Sequence, residues 1–361
     1  MHPLNQSNTL GNRISHPLLV LFIAIILIGG SCKPAPTPDP DSPVNVGADG
    51  MYILNEGLFQ MNNCSLSFYD FKTNTFTEDI FLQMNNRGLG DTGNDLQRYE
   101  GKMYCVVNNS NRVEVIDFQT AKSIKAINLP GKSPRRIAFH EGKAFVSCFD
   151  GDIVRIDTAT LDIDQTFHSG NNPEGLCVCN GKLYVANSGG LNFPNYDNTV
   201  SVFDINTLTK IKTIEVGSNP FKMGCDDNRH VYVCSRGDYS AQSSELTQID
   251  ATTDQIVQRW PGIQNFAIYD GKAYVYNVQY KAANSIRVID LNNPANEQTF
   301  ITDGTSIQMP YCISVNPLNG DVYISDAYNF VVTGDVYCFD NTGKKKFSFS
   351  AGINPNSIVF K

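Results

Sequence analysis

From Met51 to the last residue, short apolar runs with a period of two are separated by polar turn residues, the pattern of strands joined by tight turns. One phrase recurs. SPRRIAFHEGKAFVS (133–147) holds a proline, an apolar alternation, a Gly-Lys pair and a second apolar alternation, and NPEGLCVCNGKLYVA (172–186) repeats it. Each unit carries an apolar strand after a turn, a second strand ending in V-x-V-I-D-x-x-T or a relative, a third strand, and a loop ending in Asn-Pro or its equivalent. The strand-ending aspartates are Asp70, Asp117, Asp157, Asp204, Asp250, Asp290 and Asp340. Seven units of 40 to 50 residues have the number and period of a β-propeller with four antiparallel strands per blade. The predicted fold is all-β and seven-bladed.

Each recurring residue has a local reason. Aspartate at a strand end accepts hydrogen bonds from backbone N–H groups two residues on and closes a tight turn. Glycine in EGK, NGK and DGK supplies a positive φ. Pro134, Pro173, Pro220, Pro310 and Pro355 fall at strand starts, where the missing N–H is not needed. Runs such as RIAF, LCVC and SIVF are too apolar for a solvated face and suit strands packed between sheets about 10 Å apart. With strands lettered A to D from the axis outward, the folded chain opens on a B strand, MYILNEG, and closes on an A strand, INPNSIVFK. Pairing the two closes the ring through backbone hydrogen bonds and makes residues 50–361 one domain.

In this layout the A–B and C–D turns share one face, and the B–C loops and D–A connections share the other. Turns of the first face are brief, as in HEGK, CNGK and YDGK. The second face carries NEGLFQMNNCS (55–65), NSGGLNFPNYDNT (187–199), SRGDYSAQSSE (235–245), NVQYKAANS (277–285) and DAYNFVVTGD (326–335). Ordering each extra loop residue costs roughly 1–2 kcal/mol of backbone entropy, so length confined to one face predicts a binding face. Its aromatic candidates are Phe59, Phe149, Phe193, Tyr196, Tyr239, Tyr280, Tyr328 and Phe330, with Trp260, Met309 and Tyr311 in D–A connections. Amide and charged candidates are Asn55, Glu56, Asn108, Asn109, Asn187, Arg135 and Arg236. Aromatics give large contact at small entropic cost and amides both donate and accept, which suits a broad, polar-rimmed ligand.

Composition narrows the function. Sixteen Tyr and 21 Phe against a single Trp are strand-and-turn chemistry, and a net charge of −8 argues against nucleic acid or an anionic membrane surface as a partner of the whole protein. Arg13 and His16 precede the apolar run LLVLFIAIILIGG (18–30), which predicts an export signal over residues 1–31. Gly29, Gly30 and Ser31 before Cys32 suit a lipoprotein signal peptidase, making Cys32 the expected lipidation site, with ordinary secretory cleavage as the alternative. Residues 32–49 then form a tether, extended by prolines 34, 36, 38, 40 and 43.

No catalytic constellation emerges from the motifs. Of five His, only His168 falls near the binding face, and no haem signature, phosphate-cradling loop or nucleophile elbow is present. Glu56, Asp91, Asp326 and Asp335 carry the hard oxygen donors Ca²⁺ takes, but such carboxylates also tie down turns; no metal and no cofactor is assigned. Nine Cys follow Cys32, eight of them in apolar strand patterns, and are expected as buried thiols, with an occasional cross-strand disulfide left open.

The units at 101–147, 142–186 and 181–222 resemble the YVTN-type, YncE-like propeller repeats, a likeness that covers 50–361. More narrowly, LNEGLFQMNNCSLSFYD (54–70), VVNNSNRVEVID (106–117) and VNPLNGDVYISDA (315–327) look like the surface lipoprotein propellers of gut Bacteroidetes that capture corrinoids such as vitamin B12. This resemblance implies a lipid-anchored, non-catalytic propeller that passes its ligand to a TonB-dependent outer-membrane transporter; the protein is expected as a monomer anchored at the outer membrane, on its cell-surface or periplasmic face. The resemblance also implies that Asn55 to Gln60, Asn108 to Ser110 and Asp326 to Tyr328 border the ligand. Two other roles stay open on the residues alone: a protein-binding scaffold of the envelope, and a Ca-dependent lactonase-like hydrolase.

Overall fold

A computed structural model describes residues 46–278 and 284–361 of the chain. The signal segment, Cys32 and Tyr280 lie outside the described residues. The strands form seven antiparallel sheets of four, and the innermost strand of each sheet packs against that of the next until the circle returns to its start. These A strands are Gly93–Tyr99, Pro134–His140, Pro173–Cys179, Pro220–Cys225, Asn265–Tyr269, Pro310–Val315 and Pro355–Phe360. The protein is a seven-bladed β-propeller.

Closure follows the predicted register. Gly50–Asn55 pairs on one side with Ser65–Asp70 and on the other with Pro355–Phe360, matching Met51 to Phe360, Tyr52 to Val359 and Ile53 to Ile358. The terminal Lys361 N–H donates to Gly50 O at 2.8 Å. The first blade is thus built from both ends of the folded chain, so unfolding it must release the ring.

B strands lose the alternation of a half-buried strand because neighbouring sheets cover both of their faces. In Lys102–Val107, every residue after the lysine is buried. The outermost strands keep polar, exposed faces, as in Ile163–His168. Near the middle of each B strand sits a buried aromatic: Tyr52, Tyr104, Phe145, Tyr184, Tyr232, Tyr274 and Tyr323. At about 25 cal/mol per Å², burying one such ring contributes about 4 kcal/mol before entropy is counted. Some hydroxyls cross to the next blade, Tyr52 donating to Phe118 O at 2.9 Å and Tyr184 to Asp254 Oδ1 at 2.5 Å.

The predicted turn chemistry is present. Asp117 Oδ1 accepts from the N–H groups of Gln119 and Thr120 at 3.0 and 2.8 Å, and Asp157, Asp204 and Asp250 repeat the arrangement. In the EGK turn, Glu141 and Gly142 both take positive φ, 42° and 74°, the pair of conformations a two-residue hairpin of this hand requires.

One element departs from the strand-only expectation. Blade 1 has an outer strand of only three residues, Thr75–Thr77, followed by the helix Ile80–Asn85. Asp79 caps it by accepting from Leu82 N–H at 3.0 Å, Ile80 and Phe81 are buried, and Asn86 stops it in the left-handed region. Six residues are too short for a helical period to stand out in sequence.

Candidate functional site

The geometry of the ring brings the starts of A strands and the ends of B strands to one opening on the axis. There, on the predicted long-loop face, lies a cavity of about 460 Å³. Its wall combines Phe221, Tyr239, Tyr276, Met309, Tyr311 and Phe330 with Glu56, Asp95, Arg136, Lys222, Arg236, Asn265 and Asn356. The residues one and two places after an A-strand proline supply much of it: Arg136 in blade 3, Phe221 and Lys222 in blade 5, Tyr311 and Cys312 in blade 7, Asn356 and Ser357 in blade 1. Proline at the strand start fixes the entry of the chain, and the next residues are the first to face the axis. In blade 4 the second position is Gly175, where a Cβ would meet backbone atoms of blade 5 at 2.8 Å.

Charge in the cavity is unevenly paired. Arg135 Nη2 donates to Glu174 Oε1 at 2.7 Å and Nη1 to Asn94 Oδ1 at 3.1 Å, with the guanidinium over the Phe149 ring at 4.3 Å. Glu174 is fully buried; burial pushes its carboxyl up, but Arg135 and Arg236 prevail and hold it below the usual carboxylate value. Arg236 lies 3.6 Å from Glu174 and stacks over Phe221 at 4.0 Å. Asp95 accepts from Ile137 N–H and Gln97 Nε2, each at 3.1 Å, and sits 3.9 Å from Arg136. Lys222 donates to Asn265 Oδ1 at 2.6 Å, and burial lowers its ammonium below the ordinary lysine value. Across the cavity the Tyr311 hydroxyl donates to Glu56 Oε2, and Asn356 Nδ2 donates to the same oxygen at 3.3 Å. Burial, then Glu56, raise the Tyr311 phenol well above its usual value.

Of the residues expected at the site, Glu56, Arg236, Tyr239, Met309 and Tyr311 line the cavity, and Arg135 with Phe149 stands directly behind it. Phe59, Phe193 and Tyr239 are exposed on the loops, and Phe193, Tyr196 and Tyr239 run in edge contact at 6.1 and 6.0 Å. Phe330 stands edge-on to Tyr311 at 5.9 Å.

Other expected residues serve the fold. Trp260 belongs to the outer strand Gln255–Pro261, opposite Leu246, and is buried in the core with Ile263 and Phe266; it does not line the cavity. Asn55 is fully buried, donating to Ser67 Oγ at 2.7 Å and accepting from Gly352 N–H at 3.0 Å. Asn187 is its counterpart in blade 4, bound to Thr199 and Ser201. Asn108 donates to Pro134 O, Asn109 N–H donates to Asp91 O, and Ser110 Oγ accepts from Asp91 N–H, so this segment ties blade 2 to its neighbours. Asp326 accepts from Gln308, Met309 and Tyr328 N–H, and the Tyr328 hydroxyl donates to Asp335. Asp91 holds the 55–65 loop through Gln60 and Asn62 N–H. His168 is an exposed residue on the outer strand of blade 3 beside Asp152.

Sequence reasoning misses Arg136, Lys222, Asn265 and Phe221. Their signal is their place just after the A-strand start, which longer, more varied loops overshadow.

Among the described residues no group of three or more His, Cys, Asp or Glu side chains is placed to hold a metal ion, and no helix is long and apolar enough to cross a membrane. All nine described cysteines are free; Cys225, expected buried, is exposed at the end of its A strand.

Residues 49–360 match the family described as Domain of unknown function (DUF5074). No curated protein matches the chain. A quinonprotein alcohol dehydrogenase-like protein from Bacteroides thetaiotaomicron is similar at 18% identity and a TM-score of 0.65, over 88% of this chain and 79% of that one. Hydrazine synthase from Kuenenia stuttgartiensis is similar at 13% identity and 0.57, over 72% and 92%. The computationally designed Ika8 protein is similar at 13% identity and 0.57, over 87% and 98%. At such identities the likeness shows the fold alone.

Proposed function

We propose that this chain, which belongs to the DUF5074 family, is a non-catalytic binding protein of the bacterial cell envelope that captures a ligand in the axial cavity. The observation that carries this reading is the cavity itself: about 460 Å³, open on the face with the long loops, and walled by aromatics beside charged groups. That volume falls within the range of roughly 300–1,000 Å³ that small-molecule sites occupy. From the sequence resemblance, the ligand class is a corrinoid, and the complex passes its cargo to a TonB-dependent outer-membrane transporter while the lipid on Cys32 holds the protein at the outer membrane. A corrinoid exceeds the cavity, so its macrocycle rests on the rim, where Phe193, Tyr196 and Tyr239 present ring edges and faces, and one substituent enters the axis. Calorimetry and thermal unfolding with cyanocobalamin and with cobinamide test this; absence of both heat and protection removes the corrinoid part.

A second reading, a scaffold that grips an envelope protein, is favoured by one observation. Phe59, Met61, Leu191, Phe193, Tyr239, Phe330, Val331 and Val332 are all exposed, and all stand on B–C loops of the cavity face. Affinity purification from native membranes without added ligand separates the two, because a scaffold brings down a stoichiometric partner.

A further inference from the structure

Lys222 stands in the cavity wall without an ion-pair partner among the described residues, its ammonium 5.4 Å from the centre of the Phe266 ring. Its ammonium projects from two places after the proline that opens the blade 5 A strand, and its one hydrogen bond among the described residues goes to a neutral amide oxygen, Asn265 Oδ1, at 2.6 Å. Among the described residues no carboxylate pairs with it, although such ion pairs occur elsewhere in the propeller, as between Lys182 and Asp254 at 2.8 Å. The carboxylates around the cavity are otherwise engaged, and Glu56, which lines it, accepts from the Tyr311 hydroxyl and Asn356 Nδ2. Asp95 is held by Ile137 N–H, Gln97 and Arg136, and Glu174 is shared by Arg135 and Arg236. Arg236 makes no side-chain hydrogen bond among the described residues and offers its guanidinium edge from the Phe221 ring.

A desolvated cation without an anionic partner is costly, and a lysine in that position either loses its proton or receives a counter-charge. Arginine cannot lose its proton, and Arg136 and Arg236 stand in the same wall. Arg136 donates to Asn94 O and lies 3.9 Å from Asp95, and Arg236 lies 3.6 Å from Glu174, so Lys222 is the cation left to receive an acceptor oxygen, with the two guanidinium groups in the same wall. Phe221, Tyr276 and Phe330 supply apolar contact for whatever carries that acceptor. An overall charge of −8 makes this cationic wall a local exception, so it selects by contact and not by long-range attraction.

We propose that the axial cavity is an anion seat, in which a carboxylate or phosphate group on a partly aromatic or apolar ligand is bound by Lys222 with Arg136 and Arg236. This rests on the reading of the cavity as the ligand site and adds the chemistry that site recognises. The groups facing Lys222 from the surrounding strands are Arg136, Asp95, Cys234, Cys312 and Asn265. Since the ammonium is the binding form, affinity falls as pH rises through the lysine's pKa, which bound anion moves upward.

The test follows the Lys222 side chain by NMR in the purified chain carrying ¹³C-labelled lysine, assigned with Lys222→Gln. Probes are inorganic phosphate, phenyl phosphate, phenylacetate and the neutral phenylacetamide. The expected result is that the anions raise the Lys222 pKa while phenylacetamide leaves it in place, and that Lys222→Gln binds the anions about tenfold more weakly or worse. Phenyl phosphate against phenylacetate tells a phosphate seat from a carboxylate seat. The proposal is overturned if no anion moves the Lys222 pKa, or if phenylacetamide moves it equally. Should Lys222→Gln prove unstable, the wild-type titration alone decides. Binding of cyanocobalamin with an unmoved Lys222 would retire the anion seat and leave the capture function standing.

Discussion

The sharpest separation between a ligand contact and a structural one comes at Asn55, which the sequence places on the binding face and the fold buries at the ring's seam. Its amide donates to Ser65 Oγ at 3.0 Å and Ser67 Oγ at 2.7 Å, and its carbonyl oxygen accepts from the buried Gly352 N–H at 3.0 Å. Asn55→Ala removes all three bonds. Leaving the Gly352 N–H unpaired costs about 1–3 kcal/mol, the two serine contacts add about 1 kcal/mol between them, and the total is about 3 kcal/mol. Ser67 keeps its own bond to Glu78 O, which limits its share. For a domain of this size about 2 °C accompanies each kcal/mol, so Tm should fall by about 6 °C. Because the lost bond ties Ala351–Gly352 of blade 7 to blade 1, amide exchange should quicken first along Gly50–Asn55 and Pro355–Phe360. Calorimetry and hydrogen exchange measure both. An unchanged Tm, together with loss of ligand binding, would refute the argument and restore Asn55 to the ligand's contacts.

Three further outcomes can be checked. Trp260 is the chain's single tryptophan and is 6% exposed, so its emission should be blue-shifted, shielded from iodide and insensitive to ligand; a ligand-induced shift would place it at the site after all. Tyr184→Phe deletes the inter-blade bond to Asp254 and should cost about 1–3 kcal/mol in chemical denaturation, with no effect expected if that hydroxyl were solvated. Asp117, Asp204, Asp250 and Asp340 have carboxyl pKa values held low: in Asp117 burial opposes and the Thr120 donors prevail, in Asp204 and Asp250 backbone N–H donors lead, and in Asp340 the Thr342 hydroxyl leads. Groups with depressed folded pKa values stabilise above the unfolded value near pH 4 and lose that contribution as pH falls through the folded one; Tm should be level near neutrality and drop below about pH 4, and a Tm independent of pH there would contradict it.

The repeat was legible because each blade needs the same few local solutions. An aspartate closes the outer turn, a glycine turns the inner hairpin, and a proline opens the A strand. These are short-range requirements, satisfied within a few residues, and they stand in the sequence in the order in which they act. Ring closure was legible for the same reason, since a surplus A strand at one end and a missing one at the other are countable. The helix Ile80–Asn85 was not, because six residues joined to a three-residue strand show neither period.

At the cavity the sequence pointed to the face with the long loops, while several of the side chains expected there are engaged in hydrogen bonds within the fold. Loop length and aromatic content pointed to the end of the propeller where the cavity opens, and Glu56, Tyr239 and Tyr311 line it. Asn55, Asn187 and Asp326 have the same polar character as ligand contacts, yet their hydrogen bonds are consumed by Gly352, Ser201 and the 308–309 backbone. Which polar group is free and which is spent depends on partners up to 300 residues away.

The order of residues alone determined the number of blades, the surplus and missing strands that pair to join the ends, and the face that carries the long loops, since each can be counted from strand and turn signals that stand within a few residues of one another. Only the tertiary structure decided that Arg136, Lys222 and Arg236 share one wall and that, among the described residues, no carboxylate forms an ion pair with Lys222. Charge pairing is a property of distances across the axis, and those distances exist only once seven sheets have closed around it.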